Sequence, residues 1–229
     1  MWKILPWAMA LALFGGAAAA NAAQKKATKA PPSKATTLKA PRSTATTLTC
    51  VGLYSETDAG YASFRVGTGS WTVIQVGDTI PANAEIRIGV DRDWVEVTPT
   101  NDPNAVYEIS GSESGPVTKS VPEVLQGTPR LVSAPKASGD KPDPAFKDKL
   151  FVAGYLGRQI YTNPSGDEKD VKYGDVLALE GKVTIIAINN TITLMNASGK
   201  VSTVVGPLKF DVEKVLKNEK LYKFLNVPR

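Results

Sequence analysis

VKYGDVLALEGKVTIIAINNTITLMNASGKVSTVVG, residues 171 to 206, reads as a string of short strands and turns. A second copy lies upstream, VIQVGDTIPANAEIRIGVDRDWVEVTPTNDPNAVYEISG, residues 73 to 111. An offset of 97 aligns Gly77 with Gly174, Asp78 with Asp175, Ile86 with Val183, Ile88 with Ile185, Val95 with Ile192 and Val97 with Leu194. After a two-residue difference in one loop, Val106 meets Val201, Ile109 meets Val204 and Gly111 meets Gly206. Few of these pairs are identities. The apolar positions nevertheless keep a period of two in both copies, the pattern of half-buried strands, and recurrence of that pattern marks an internal repeat. The expected fold is mainly β: two small related antiparallel β modules followed by a C-terminal amphipathic helix.

Within each copy a Gly-Asp pair punctuates the pattern. Glycine reaches backbone conformations that a Cβ makes costly, and aspartate bonds the amides of its own turn. Gly77, Asp78, Gly174 and Asp175 are therefore expected to be structural turn residues. In the first copy strands are expected at 49–54, 61–66, 71–75, 85–90, 94–98 and 106–109, with Gly, Asp, Asn and Pro in the breaks. Asp91 and Asp93 invite a metal or acid-base reading. The alignment instead sets Arg92 and Asp93 on Asn189 and Asn190, a hairpin turn, so no metal ligand or catalytic group is assigned there. If Val95 and Val97 face the core, alternation sends Trp94 and Glu96 to the other face, where the second copy has Thr191 and Thr193. A tryptophan in that position needs a partner, either the other module, the intervening segment or an external ligand. Trp94, Trp71 and Tyr107 are the candidate contact residues.

The turn pattern resembles the FecR-like domain of bacterial envelope proteins, in which a Gly-Asp turn, a second turn one short strand later and a hairpin with a Gly-containing tip recur. The matching residues are Gly174, Asp175, Glu180, Gly181, the hairpin around Asn189 and Asn190, then Ser198 and Gly199. The likeness covers about residues 150–210 and, more faintly, 60–111. It implies a β fold and a periplasmic setting. FecR itself relays a signal across the inner membrane through a membrane helix and a cytoplasmic domain; neither is recognisable here, so the resemblance does not carry that role over.

Outside the repeats, composition sets the boundaries. Residues 1–22 have a cationic start at Lys3, an apolar run from Ile4 to Phe14 and a small-residue end at Ala20-Asn21-Ala22, the form of a secretory signal peptide cleaved after Ala22. Pro6 and the Gly15-Gly16 break leave that run short of the ~20 residues a membrane span needs. Residues 23–48 form a basic tail rich in Lys, Ala, Pro and Thr, which lacks the apolar content to build a core and is expected to be disordered. With Lys3 and the six tail cations set aside, 20 Lys and Arg face 22 Asp and Glu over residues 49–229, a net of −2, so the basic character belongs to the tail. Module 1 spans 49–111, a Pro-rich linker 112–148 and module 2 with its helix 149–229. Proline spacing in the linker favours extended backbone, with a strand at 130–132. FVAGYLG at 151–157 echoes DAGYASF at 58–64. In the closing stretch Val212, Val215, Leu216, Tyr222 and Leu225 recur at helical spacing, with Asp211 as N-cap and Pro228 as stop. Cys50, the single cysteine, is expected to be a small buried residue; an intermolecular disulfide is its alternative.

Chemistry is bounded by what the composition lacks. Without histidine, Ser-His-Asp and Cys-His catalysis and most zinc sites are excluded. Gly67 and Gly69 precede a strand rather than a helix and make no phosphate loop. No cofactor, metal or nucleic acid is expected. The function expected is a non-enzymatic protein of the periplasm or cell exterior, acting as an interaction or scaffolding part for an envelope protein partner and without an integral membrane segment after cleavage. The alternatives are a wall or polysaccharide binder holding peptidoglycan or an anionic surface through the tail and exposed aromatics, and an acid-pair hydrolase.

Overall fold

The computed structural model describes residues 46–55, 62–89, 92–136 and 141–217. The stretch read as a signal peptide, nearly all of the stretch read as a tail, Tyr61, Val90, Asp91 and the helical pattern beyond Lys217 lie outside the described residues. The described residues fall in one compact unit.

The period-two stretches become strands in the order β1 (Leu48–Tyr54), β2 (Ala62–Val66), β3 (Thr72–Val73), β4 (Thr79–Ile80), β5 (Ala84–Ile88), β6 (Trp94–Pro99), β7 (Ala105–Ser110) and β8 (Val117–Ser120), then helix α1 (Val121–Leu125). A short strand β9 (Arg130–Leu131) and a 3-10 turn at Pro144–Phe146 follow. The order then repeats: β10 (Lys149–Leu156), β11 (Gln159–Thr162), β12 (Glu168–Asp170), β13 (Val176–Ala178), β14 (Lys182–Ile185), β15 (Thr191–Met195), β16 (Val201–Val205), β17 (Leu208–Asp211) and α2 (Val212–Leu216). Each half carries a four-stranded antiparallel sheet, β3-β2-β5-β8 in one and β12-β11-β14-β17 in the other. The remaining strands form one nine-stranded sheet, β16-β15-β10-β1-β6-β7-β9, with β4 added to β1 and β13 to β10.

The repeat extends to individual hydrogen bonds. The Gly77 amide donates to the Cys50 carbonyl and the Cys50 amide to Asp78; Gly174 and Asp175 do the same with Val152. Gly77 and Gly174 have φ of +96° and +83°. The Asp78 carboxylate accepts from the Gln75 amide at 2.8 Å and that of Asp175 from the Lys172 amide at 2.9 Å. The hairpins expected here are corrected: Arg92 and Asn189 both adopt left-handed backbone, but in connections that pass from a small sheet (β5, β14) to the large one (β6, β15), while the Gly111 amide bonds the Asp93 carbonyl and the Gly206 amide that of Asn190 at the open ends of the β6–β7 and β15–β16 hairpins. Arg92 thus takes a turn conformation, whereas the Asp93 side chain is buried, 3% exposed, among the groove residues described below.

Two cores follow from the two halves. Leu48, Cys50, Val95, Val97 and Ile109 of the large sheet pack with Ile86, Ile88, Val121 and Val124. Val152, Ile192, Leu194 and Val204 pack likewise with Val183, Ile185, Val212 and Val215. Strand β1 belongs to both, because Val51 and Tyr54 enter the second core while Leu48 and Cys50 enter the first. A β-bulge between Cys50 and Gly52 shifts the alternation and makes this double use feasible. Burying one large aliphatic side chain is worth about 2 kcal/mol, so a strand shared by two small cores stabilises each half through the other.

Two further expectations are corrected, and the joint between the modules is defined. The stretch read as linker contains β8, α1, β9 and the 3-10 turn. Helix α1 starts at a Ser120-Glu123 capping box and tolerates Pro122 because a first-turn proline has no N–H to lose. The Pro-rich composition hid this helix, whose counterpart is α2: Val121 and Val124 match Val212 and Val215. The partner of FVAGYLG is TCVGLYS at 49–55 rather than DAGYASF. The β1–β2 connection runs 55–61 and the β10–β11 connection only 157–158, so the offset changes from 102 to 97 across it. Finally, the modules are joined by a parallel pairing of β1 with β10, Gly52 opposite Tyr155 and Leu53 opposite Leu156. Asp211 does occupy the N-cap position of α2, but its side chain makes no cap bond and pairs with Lys214 at 3.3 Å.

Cys50 is buried, and loss of hydration pushes its thiol from 9.0 up to about 12. A thiol reagent at about pH 8 should leave the native protein unlabelled and react fully in denaturant, since only the thiolate is nucleophilic. The folded state holds this proton more tightly than the unfolded chain does. Stability from this group is therefore complete below pH 9 and declines as pH rises from 9 towards about 12. Cys50→Val, which copies the equivalent Val152, should flatten the first part of that decline in urea melts. An equally steep fall in the variant between about pH 9 and 10 contradicts the assignment.

Candidate functional site at the junction of the halves

The junction is built where β1 meets β10. Gly52 is required there, because a Cβ at that position runs into the Tyr155 ring. Tyr155 is fully buried and its hydroxyl accepts the Trp94 indole N–H at 2.8 Å. The Trp94 ring stacks on Tyr54 with centroids 3.6 Å apart and planes within 5°. On its other flank Lys172 places its Nζ 5.0 Å from the Trp94 ring while bonding Glu108 at 2.7 Å. Trp94 thus has its partners in Tyr54 and the second module.

Two residues further along β6, Glu96 points to the same face and is 0% exposed. Arg130 Nη2 donates to Glu96 Oε1 at 2.7 Å and to the Tyr173 carbonyl at 2.7 Å. The Tyr173 amide donates to Oε2 at 2.9 Å. Burial first, and then the Glu96 charge, raise the phenols of Tyr155 and Tyr173, so both stay protonated and serve as neutral hydrogen-bonding groups. Glu96 has no route to a substrate; its chemistry is to tie β6, β9 and the turn before β13 together.

Beside this polar seam lies a groove of about 1120 Å3, lined from both halves. Val73 and Val76 come from the first module and Leu156, Ile186 and Ile188 from the second, all of them exposed, Ile188 at 73%. Trp94 and Asn190 also line it, as does Arg158, whose guanidinium bonds Asp170 at 3.1 Å. Asp93 is the one carboxylate among the described lining residues. Among the described residues no group of three or more His, Cys, Asp or Glu is placed to hold a metal ion, and no helix is long and apolar enough to cross a membrane.

The sequence-derived candidates are distributed rather than gathered. Trp94 is at the junction. Trp71 sits on the small sheet of the first half, with the guanidinium carbons of Arg65 and Arg87 4.6 and 5.7 Å from its ring centroid. Tyr107 packs against the first core, on the face of β7 opposite Glu108. Gly77, Asp78, Gly174 and Asp175 shape the two turns. Sequence reasoning missed Glu96, Arg130, Tyr155 and Tyr173 as a set. The one available signal was the alternation that paired Glu96 with Trp94 on a face otherwise read as exposed.

Fold and site together define a class, a duplicated mainly β body with an apolar groove at its internal junction. Comparison with protein-family models, with curated proteins and with solved structures gave no match to this chain.

Proposed function

We propose that this is an exported, non-enzymatic protein of the bacterial envelope, built from two FecR-like modules, whose junction groove receives an apolar segment of an envelope protein partner. The observation that carries this reading is the convergence of exposed aliphatic side chains from both halves, Val73, Val76, Leu156, Ile186 and Ile188, on one groove. Exposed apolar residues that cluster rather than scatter mark interaction sites, and a volume of about 1120 Å3 exceeds that of a pocket for a drug-sized molecule, about 300–1,000 Å3. The leader and basic tail read from the sequence set the periplasm or cell exterior as the compartment. The lining chemistry is aliphatic with amide and guanidinium groups at the edge, which suits an extended peptide.

The second reading, wall binding, rests on the six tail cations beside a near-neutral body. The two separate cleanly. Pull-down of the partner from a native envelope fraction should survive deletion of residues 23–48 and moderate salt, and should weaken by about 30-fold on Ile188→Asp, the effect of losing a ~2 kcal/mol anchor. Ile188 is exposed, so the melting temperature should not move. Retention on peptidoglycan that disappears with the tail, or partner binding indifferent to Ile188→Asp, defeats the groove reading.

A further inference from the structure

We propose that β16 is a self-association edge, pairing antiparallel with β16 of a second copy of this chain about a dyad at Thr203. Strand β16 ends the large sheet, and among the described residues its outer side carries no strand. In the first half the equivalent strand, β7, is closed on that side by β9. The position is therefore one that takes a further strand, and this proposal is independent of the groove.

The hydrogen-bond phase of the edge is fixed by its hairpin. The Gly206 amide bonds the Asn190 carbonyl and the Asn196 amide bonds that of Lys200, and β15 pairs with β16 in the same register, Ile192 opposite Val204. Even-numbered residues of β16 thus turn their amides and carbonyls towards β15. Val201, Thr203 and Val205 turn theirs outward. An exposed edge with free pairing groups is a template for another strand, and β16 carries neither the lysine nor the proline that blunts such edges.

The strand matches itself. A dyad at Thr203 sets Val201 against the partner's Val205 and Thr203 against the partner's Thr203, each a hydrogen-bonded pair exchanging two backbone bonds, about six in all. The side chains on that register are complementary: Val201 and Val205 are 48% and 58% exposed and meet each other, and threonine meets threonine, a favourable cross-strand pair. The nearest charge, Lys200, falls opposite the partner's Gly206, so no like charges face one another. A one-residue slip in register sends inward-facing groups of one strand against outward-facing groups of the other and loses the bonds.

Sedimentation of residues 23–229 at about 100 μM should show a dimer. Thr203→Lys and Thr203→Glu should each be monomeric because like charges then oppose across the dyad, and at dilutions where the wild-type chain is itself monomeric their melting temperatures should match its own, since the side chain is exposed and gives up only an exposed hydroxyl contact with Thr193 at 3.2 Å. A one-to-one mixture of the two variants should restore the dimer, since position 203 faces itself. A wild-type chain that stays monomeric, the result expected if its own residues 218–229 take the edge, overturns the proposal. A dimer untouched by Thr203→Lys, or a mixture that fails to recover, does so as well.

Discussion

Arg130→Ala is expected to lower stability by about 3 kcal/mol, because it leaves the Glu96 carboxylate buried without its charged partner. Losses on breaking a buried ion pair run to about 3–5 kcal/mol. The lower end applies here, as the Arg130 side chain is 41% exposed and Glu96 keeps the Tyr173 amide. For a body of this size the melting temperature should fall by about 10 °C. The test of mechanism is the double variant Glu96→Leu with Arg130→Met. Replacing a buried pair by apolar groups of similar volume is often neutral, so the double variant should recover most of the loss, although the Tyr173 carbonyl and amide still lose their partners. A loss below about 1 kcal/mol for Arg130→Ala, or a double variant worse than the single, means that the ion pair with the Tyr173 peptide is not a stabilising tie between β6, β9 and the turn before β13.

That pair also marks where the sequence stops being legible. The turn glycines, the inward positions Val95 and Val97, and the strand order within each copy are local properties, encoded by periodicity and by residues that tolerate φ above zero. The Glu96–Arg130 contact joins positions 34 apart across a Pro-rich stretch. A glutamate in a strand reads as solvated until its neighbour is known. The five-residue helix α1 is too short for a helical period to emerge, and Pro122 reads as a breaker although it sits in the first turn. The parallel β1–β10 joint has no local signature at all. Its trace in the sequence is Gly52, whose purpose is visible only with the Tyr155 ring in place. The groove was invisible for the same reason, since Val73 and Ile188 are ordinary strand-edge and loop residues until the joint brings their halves together.

Gly174→Val is expected to cost about 3 kcal/mol or more, and its counterpart Gly77→Val visibly less, from two effects that the repeat separates. Both glycines sit in the same turn with φ of +83° and +96°, a region that a β-branched residue enters at a cost of about 1–3 kcal/mol. Their surroundings differ. A Cβ built on Gly77 has nothing within 4 Å, whereas one on Gly174 runs into the Val132 side chain, with its Cβ 2.7 Å away. Val132 lies just after β9, packed against the second core, and its amide is fixed to the Asn104 carbonyl at 2.9 Å, so it cannot simply withdraw. Overpacking of this kind adds about 1–3 kcal/mol. Urea midpoints of the two variants measure the difference directly, and Val132→Ala placed in the Gly174→Val background should return part of the steric share while leaving the backbone share intact. Equal losses at the two glycines mean that only the turn conformation matters and that the Val132 contact relaxes at no cost; no loss at either means that the Gly-Asp turns are incidental to the fold.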